Sequence, residues 1–196
     1  MPSVYQLKPK FQALLRPIAN RLAAIGVTAN QLTVVTCLIS LALGLDLAYG
    51  TRQWWMLPVW LFLRMAANAI DGMLAREHNQ ATRLGALLNE LTDVLADAAL
   101  LLPFAYLPNW NPAVVGTVIV LAGLTEMTSV VGQTLTGIRR NDGPLGKSDR
   151  ALLQGILGTW TAFGFAVSEW IAPLFALGLV ATVYNRARHI LAIKEE

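Results

Sequence analysis

Between Asn68 and Asp97 the chain reads NAIDGMLAREHNQATRLGALLNELTDVLAD. Asp71, Glu90, Asp93 and Asp97 lie within it, four of the chain's 12 acids, set among apolar residues that make burying them costly. A helix advances by about 100° per residue. Asn89, Asp93 and Asp97 therefore stand at i, i+4 and i+8, with Glu90 three residues before Asp93, and the four share one arc. Asn68 and Asp71, at i and i+3, share a face of the preceding helix. A hairpin through the short 72–85 connection lets the two faces meet. Hard oxygen ligands converging from two helices suit Mg²⁺ or Mn²⁺, above all where substrate phosphates complete the shell. The other roles open to such acids are pairing with arginines inside a bundle or lining a transport path. Ionisable groups within membrane spans are functional by default.

The elements that must hold these residues follow from composition. The 196 residues are 55% hydrophobic and 14% charged, with a mean hydropathy of +0.51; a soluble domain carries about 25% charged residues. The length suits a single domain, 1–196. Six apolar stretches (32–51, 53–71, 86–108, 112–138, 150–169 and 171–192) each approach the roughly 20 residues that a helix needs to cross a bilayer core. The first half of the third is the polar segment above. Residues 3–24 differ: Val4, Leu7, Phe11, Leu14, Leu15, Ile18 and Leu22 recur at three- and four-residue steps, with Lys8, Lys10, Arg16 and Arg21 between them. This is the pattern of a basic amphipathic helix lying on a membrane surface, with Pro9 and Pro17 expected to break or kink it. Thr28–Asn30 offers an N-cap to the first span. All but Arg52 and Arg64 of the 15 lysines and arginines fall in the segments that six spans place on one side, so the positive-inside rule puts both termini in the cytoplasm. Cys37, the single cysteine, reads as a small buried residue.

The polar segment also carries a resemblance. Asp71-Gly72-x2-Ala75-Arg76-x8-Gly85-x3-Asn89-x3-Asp93 resembles the signature D-x2-D-G-x2-A-R-x8-G-x3-D-x3-D of the CDP-alcohol phosphotransferases. The likeness extends to the surface helix, TANQLT before the first span, six spans, and GKSDR before the fifth, and so covers nearly the whole chain. It is nearest to a bacterial inner-membrane branch of that family. The resemblance implies attack by an acceptor hydroxyl on the β-phosphorus of CDP-diacylglycerol or another CDP-alcohol, with CMP leaving. It implies that Asn68, Asp71, Gly72, Ala75, Arg76 and Gly85 bind the nucleotide. The glycines would let it approach, Ala75 would leave room for the base, and Arg76 would pair with the cytidine-side phosphate. Asp93 is the implied general base.

The chain departs from the signature twice, with Asn68 and Asn89 where acids are expected. Four carboxylates become two, which puts the two-metal site usual in the family in question. Three readings follow: one Mg²⁺ or Mn²⁺ on Asp71 and Asp93 with amide help from Asn68 and Asn89; a site that recruits Asp97 and Glu90; or a degenerate protein that binds CDP-lipid or nucleotide without transfer. The second is preferred, since two added acids lie on the correct face.

Arg139, Arg140, Lys147 and Arg150 surround the turn Asp142-Gly143-Pro144. In resembling enzymes basic residues here hold the phosphate of a phosphorylated acceptor, and Arg186 can join them; the plainer reading is positive-inside charge. Glu126, in the fourth stretch, is expected in the bundle interior or paired with Arg64. His78 and His189 read as solvated rather than metal-bound. The expectation is thus an all-α integral membrane protein: a juxtamembrane helix and link over 1–31, a six-helix bundle over 32–192, and a cytoplasm-facing cleft. A homodimer through the third and fourth spans fits the family, and nothing points to a nucleic-acid partner. No span is interrupted at midplane in two matching halves, which argues against a transporter.

Overall fold

The computed structural model describes residues 7–193, with the backbone alone for 7–9. Val4, Lys194 and both chain termini lie outside the described residues. Among those described there is no strand. The elements are α1 (Leu7–Ala24), α2 (Ala29–Tyr49), α3 (Met56–Glu77), α4 (Arg83–Leu101), a short 3-10 helix (Leu102–Tyr106), α5 (Pro112–Thr136), α6 (Lys147–Ala162) and α7 (Ile171–Leu191).

Local chemistry sets several boundaries. Neither proline interrupts α1: Pro9 falls in the first turn, where its missing N–H has no helical partner, and the helix continues through Pro17. A reciprocal cap opens α2, as Gln31 N donates to Thr28 Oγ1 (3.2 Å) and Thr28 N donates to Gln31 Oε1 (2.9 Å). The third apolar stretch is not one helix to residue 108. Its α-helix stops at Leu101, before Pro103, which lacks the N–H needed to continue the ladder. The fifth stretch yields only 16 helical residues, about 24 Å at 1.5 Å per residue, short of a 30 Å bilayer core. Helices α2 and α5 are long and apolar enough to cross a membrane; α3, α4 and α7 have comparable lengths but carry more charge.

The chain forms two compact units, one of residues 1–39 and 60–93, the other of 40–59 and 94–196. In the first, Leu15 and Ala19 of α1 pack with Ala29 of α2 and with Ile70, Met73 and Leu74 of α3. The docking is pinned by Arg16, whose Nε and Nη2 donate to the two carboxylate oxygens of Glu77 at 2.9 and 3.0 Å. Leu14 and Ile18, on another face of α1, stay exposed. In the second, Leu101, Val118, Ala122, Phe175 and Leu179 form a core, and Phe104 stacks between Trp54 and Trp110. Beside these apolar cores, Ser40, Thr125, Ser129 and Thr182 are wholly buried, whereas Val120, Met127, Leu135, Leu174 and Leu177 are more than 60% exposed.

Candidate active site

The first unit holds Asn68, Asp71, Gly72, Ala75 and Arg76 on α3, and Gly85, Asn89, Glu90 and Asp93 on α4. Asp71 is buried, and Thr33 Oγ1 donates to its Oδ2 at 2.9 Å. Asp93 receives two donors on one oxygen: Asn68 Nδ2 reaches Oδ1 at 3.2 Å and Arg64 Nη2 reaches it at 3.4 Å. The same Arg64 nitrogen donates to the main-chain carbonyl of Asp93 at 3.2 Å. Arg64 and Asn68 are one turn apart on α3, so one face of that helix addresses Asp93. Asn89 and Glu90 are half-buried on α4.

At both glycines an added side chain would meet the far end of a neighbouring side chain, which would have to shift. A Cβ at Gly72 would lie 2.9 Å from Arg76 Nη2, and one at Gly85 would lie 2.6 Å from Asn30 Oδ1. Gly72 thus makes room for the Arg76 guanidinium over its own helix, and Gly85 for the Asn30 amide of α2. Ala75 packs at the edge of the core that holds α1, and Arg76 is exposed. At the end of α3, hydrogen bonding to Arg16 holds the exposed Glu77 carboxyl below its usual range, with coulombic help from Arg16, His78 and Arg76 outweighing desolvation.

Among the described residues no three His, Cys, Asp or Glu side chains converge to hold a metal ion. The donors present are two carboxylates, Asp71 and Asp93, with the Asn68 and Asn89 amides nearby in sequence. That set fits the way Mg²⁺ and Mn²⁺ are held by one or two carboxylates, substrate phosphates and water, rather than an all-protein cage.

The second unit gathers the other predicted residues. Arg150, only 1% exposed, donates through Nη2 to Asp97 Oδ2 (2.8 Å) and Glu126 Oε1 (2.9 Å), and through Nη1 to Thr125 Oγ1 (2.9 Å). Arg186, equally buried, donates through Nη1 to Ser129 Oγ at 2.7 Å and to the Thr125 carbonyl, and through Nε to the Asp142 carbonyl at 3.0 Å. Both Arg139 and Arg186 lie 3.9 Å from Glu126. Three guanidinium groups therefore face two carboxylates, a net charge of +1 when all are ionised. The Ser129 hydroxyl holds the Arg140 carbonyl, and Arg140 Nε is buried without a hydrogen-bond partner. Lys147 opens α6, whose N-cap amide, Gly146 N, donates to Asp149 Oδ2 at 3.0 Å. His189 Nδ1 meets Asp142 Oδ2 at 2.6 Å, and Leu145 N donates to Thr182 Oγ1 at 3.0 Å, so α7 holds the 142–145 turn at two further points.

Within the first unit the structure joins Asn68 to Asp93; it groups Asp97 with Arg150 and Glu126. Glu126 pairs with Arg150. His78 contacts Asn20 at 3.1 Å. Sequence reading missed Arg64 as a partner of Asp93, although its place four residues before Asn68 was a signal. It also missed Thr33 and Ser129, whose hydroxyls carry no spacing signal.

Comparison with known proteins follows the same lines. A family model described as CDP-alcohol phosphatidyltransferase matches residues 26–184. The chain is 44% identical to the inner membrane protein YnbA of Escherichia coli K12, across 99% of each chain. It is 28% identical to phosphatidylinositol phosphate synthase of Mycobacteroides abscessus, covering 94% of this chain and 85% of that one. The fold matches crystal structures of Mycobacterium tuberculosis phosphatidylinositol phosphate synthase. With CDP-DAG bound, the TM-score is 0.75 at 20% identity over 94% of this chain and 98% of that one. With manganese and citrate, it is 0.73 at 19% identity over 93% of each.

Proposed function

The chain belongs to the CDP-alcohol phosphatidyltransferase family, and on that premise we propose that it transfers a phosphatidyl group from CDP-diacylglycerol to the hydroxyl of a phosphorylated acceptor alcohol. In the step, the acceptor oxygen attacks the phosphorus that bears diacylglycerol, the bond to the CMP oxygen breaks, and CMP leaves. The acceptor's proton goes to Asp93. The observation that carries this reading is the joining of the two signature helices at that residue: Asn68, from the first motif position, donates to the carboxylate of Asp93, from the last. Arg76, exposed and seated over Gly72, meets no steric obstruction from its own helix and is assigned to the pyrophosphate. Gly85 and Ala75 are assigned to the nucleotide by their motif positions, with the Asn30 side chain at Gly85 moving aside. Asp71 and Asp93, with Asn68, are assigned to Mg²⁺ or Mn²⁺, which supplies charge neutralisation for the pyrophosphate; the relative solved with manganese supports that choice. Asn89 and Glu90 flank this set on α4. We place Asp97 with Arg150 and Glu126, as the counter-charge of the basic group, and keep its metal-ligand role as the outcome to be excluded.

Arg139, Arg140, Lys147, Arg150 and Arg186 are assigned to the acceptor's phosphate. Support comes from the net positive cluster and from Lys147 at a helix N-terminus, where backbone N–H groups favour anions. The CDP-DAG bound in one structural relative and the phosphatidylinositol phosphate synthase activity named for another suggest the donor and a phosphorylated acceptor.

The protein's place is a bacterial inner membrane, as the name of the E. coli relative suggests, with α2–α7 as the spanning bundle, in which residues 163–169 extend the short α6, α1 at the surface and both termini cytoplasmic. Apolar side chains outside and hydroxyls inside support it, as does the one-sided placement of basic residues. A homodimer is assigned to α4 and α5; on α4, Leu87, Leu91 and Leu95 form an exposed i, i+4, i+8 row.

The test is CMP release from labelled CDP-diacylglycerol by the purified chain, with and without Mg²⁺ or Mn²⁺, across a panel of phosphorylated and unphosphorylated alcohols. Metal-dependent CMP release with a phosphorylated acceptor supports the proposal. Tight CDP-diacylglycerol binding without CMP release under any condition would establish instead the non-catalytic binder that Asn68 and Asn89 raise.

A further inference from the structure

Asp93 is addressed by a guanidinium that the family signature does not contain. Arg64 is 5% exposed, and its Nη2 bonds both the side chain and the main-chain carbonyl of Asp93. Asn68, which stands where an acid is expected, donates to the same carboxylate oxygen. The Arg64 guanidinium and the uncharged Asn68 both raise the local charge. Four carboxylates, at −4, balance two divalent cations. Here Asp71 and Asp93 give −2, and Arg64 returns +1 at hydrogen-bond distance from one of them. With a substrate pyrophosphate at −2, one divalent cation leaves these groups at −1 and two leave +1, whereas four carboxylates with two cations and the same pyrophosphate stand at −2, so the one-ion state keeps the sign of the four-carboxylate site. Charges separated by a few ångströms with little water between them interact strongly, so these counts favour one ion. The geometry agrees: Asp93 Oδ1 is taken by two protein N–H donors.

We propose that Arg64 supplies at Asp93 the charge that a second cation would bring to the four-carboxylate signature, so that this chain works with one divalent ion. Arg64 is on this view a positioning residue: it fixes the Asp93 carboxylate through two bonds to one residue and acts on the reaction through it. The proposal rests on the donor site assigned above.

The experiment counts Mn²⁺ on the purified full chain in detergent with CDP-diacylglycerol present, by the electron paramagnetic resonance signal of free Mn²⁺. The wild-type chain is expected to bind one Mn²⁺. An Asn68→Asp/Asn89→Asp variant restores the four carboxylates and is expected to take a second Mn²⁺ weakly, against the Arg64 charge. Adding Arg64→Gln, which keeps an amide donor near Asp93, is expected to tighten that second ion by at least about tenfold. Adding Arg64→Lys, which keeps the charge, is expected to leave it weak. Two tight ions on the wild-type chain overturn the proposal. So does a second-ion affinity that Arg64→Gln leaves unchanged, or that Arg64→Lys raises as much as Arg64→Gln does. Absence of any CDP-diacylglycerol-dependent Mn²⁺ binding overturns the donor site itself, a result distinct from one that differs only in the second ion.

Discussion

The guanidinium of Arg76 lies over Gly72, so that a Cβ there would stand 2.9 Å from Nη2 and 3.2 Å from Nη1. The glycine and the arginine of the DG-x2-AR motif are thus one device: the missing side chain lets the guanidinium lie back along α3. Gly72→Ala is expected to displace Arg76 and to weaken CDP-diacylglycerol binding about tenfold, the scale of one charge-assisted hydrogen bond. Arg76→Ala is expected to do the same. The decisive measurement is the double variant: if both act through one contact, it binds no more weakly than Arg76→Ala alone. Losses that simply add would show that Gly72 acts on the nucleotide directly.

The bond between Arg16 and Glu77 gives α1 a dependence on acid and salt. Glu77 is held below the usual carboxylate range by its partner. A group whose folded value is depressed stabilises the docked state above its unfolded value, near pH 4.3, and that contribution is lost as the pH falls through the lowered folded value. Both side chains are exposed, so the effect is modest and salt-sensitive. Glu77→Gln is expected to speed hydrogen exchange in α1 at neutral pH and low salt, and to have no effect in strong acid or high salt. Equal effects under all these conditions would assign the role of Glu77 to packing.

How far the sequence announced this arrangement depends on the residue. The helices of the donor motif were legible because a spacing rule connects Asp71, Gly85 and Asp93, and helical periodicity places Asn68 beside Asp71. Gly72 was legible as a residue whose small size matters, but its contact was not: periodicity does not say that an exposed arginine folds back by one turn. Asp97 was legible as a buried acid on the Asp93 face. Its partner, Arg150, lies 53 residues away, and no local pattern ranks one distant arginine over another or over a cation. The 16-residue length of α6 was hidden because hydropathy continues through residues 163–169 after the helical hydrogen bonds stop.

The basic group around Glu126 bears on the acceptor. Arg150 and Arg186 are each 1% exposed, whereas Lys147 sits half-buried at the start of α6. Lys147 is therefore the residue to change with the least effect on folding. Lys147→Ala is expected to raise the acceptor KM about tenfold while leaving the CDP-diacylglycerol KM within about twofold, since one phosphate contact is lost from one substrate. If the two KM values move together, or the best acceptor has no phosphate, the cluster serves only topology.

Asp97 can be decided in the same way. Its Oδ2 lies 2.8 Å from Arg150 Nη2, and Glu126 holds the same nitrogen. Removing one partner from a buried ion pair costs about 3–5 kcal/mol where it leaves a charge uncompensated; here Glu126 remains, so Asp97→Asn is expected to cost less than that. It should lower the unfolding temperature and raise the acceptor KM, because Arg150 loses one of the two acids that orient it. It should leave the Mn²⁺ affinity measured with CDP-diacylglycerol unchanged, while Asp71→Asn abolishes it. The alternative is that Asp97 replaces the carboxylate missing at Asn89, as a ligand or by orienting Asp93 one turn before it. Then Asp97→Asn would weaken Mn²⁺ binding about as severely as Asp71→Asn, and Arg150→Met, which removes the guanidinium but keeps Asp97, would leave Mn²⁺ binding intact or tighten it. The two accounts thus separate on one titration of three variants. The buried contact with Arg150 favours the first: an acid already held by a guanidinium gives up that pairing before it can meet a metal.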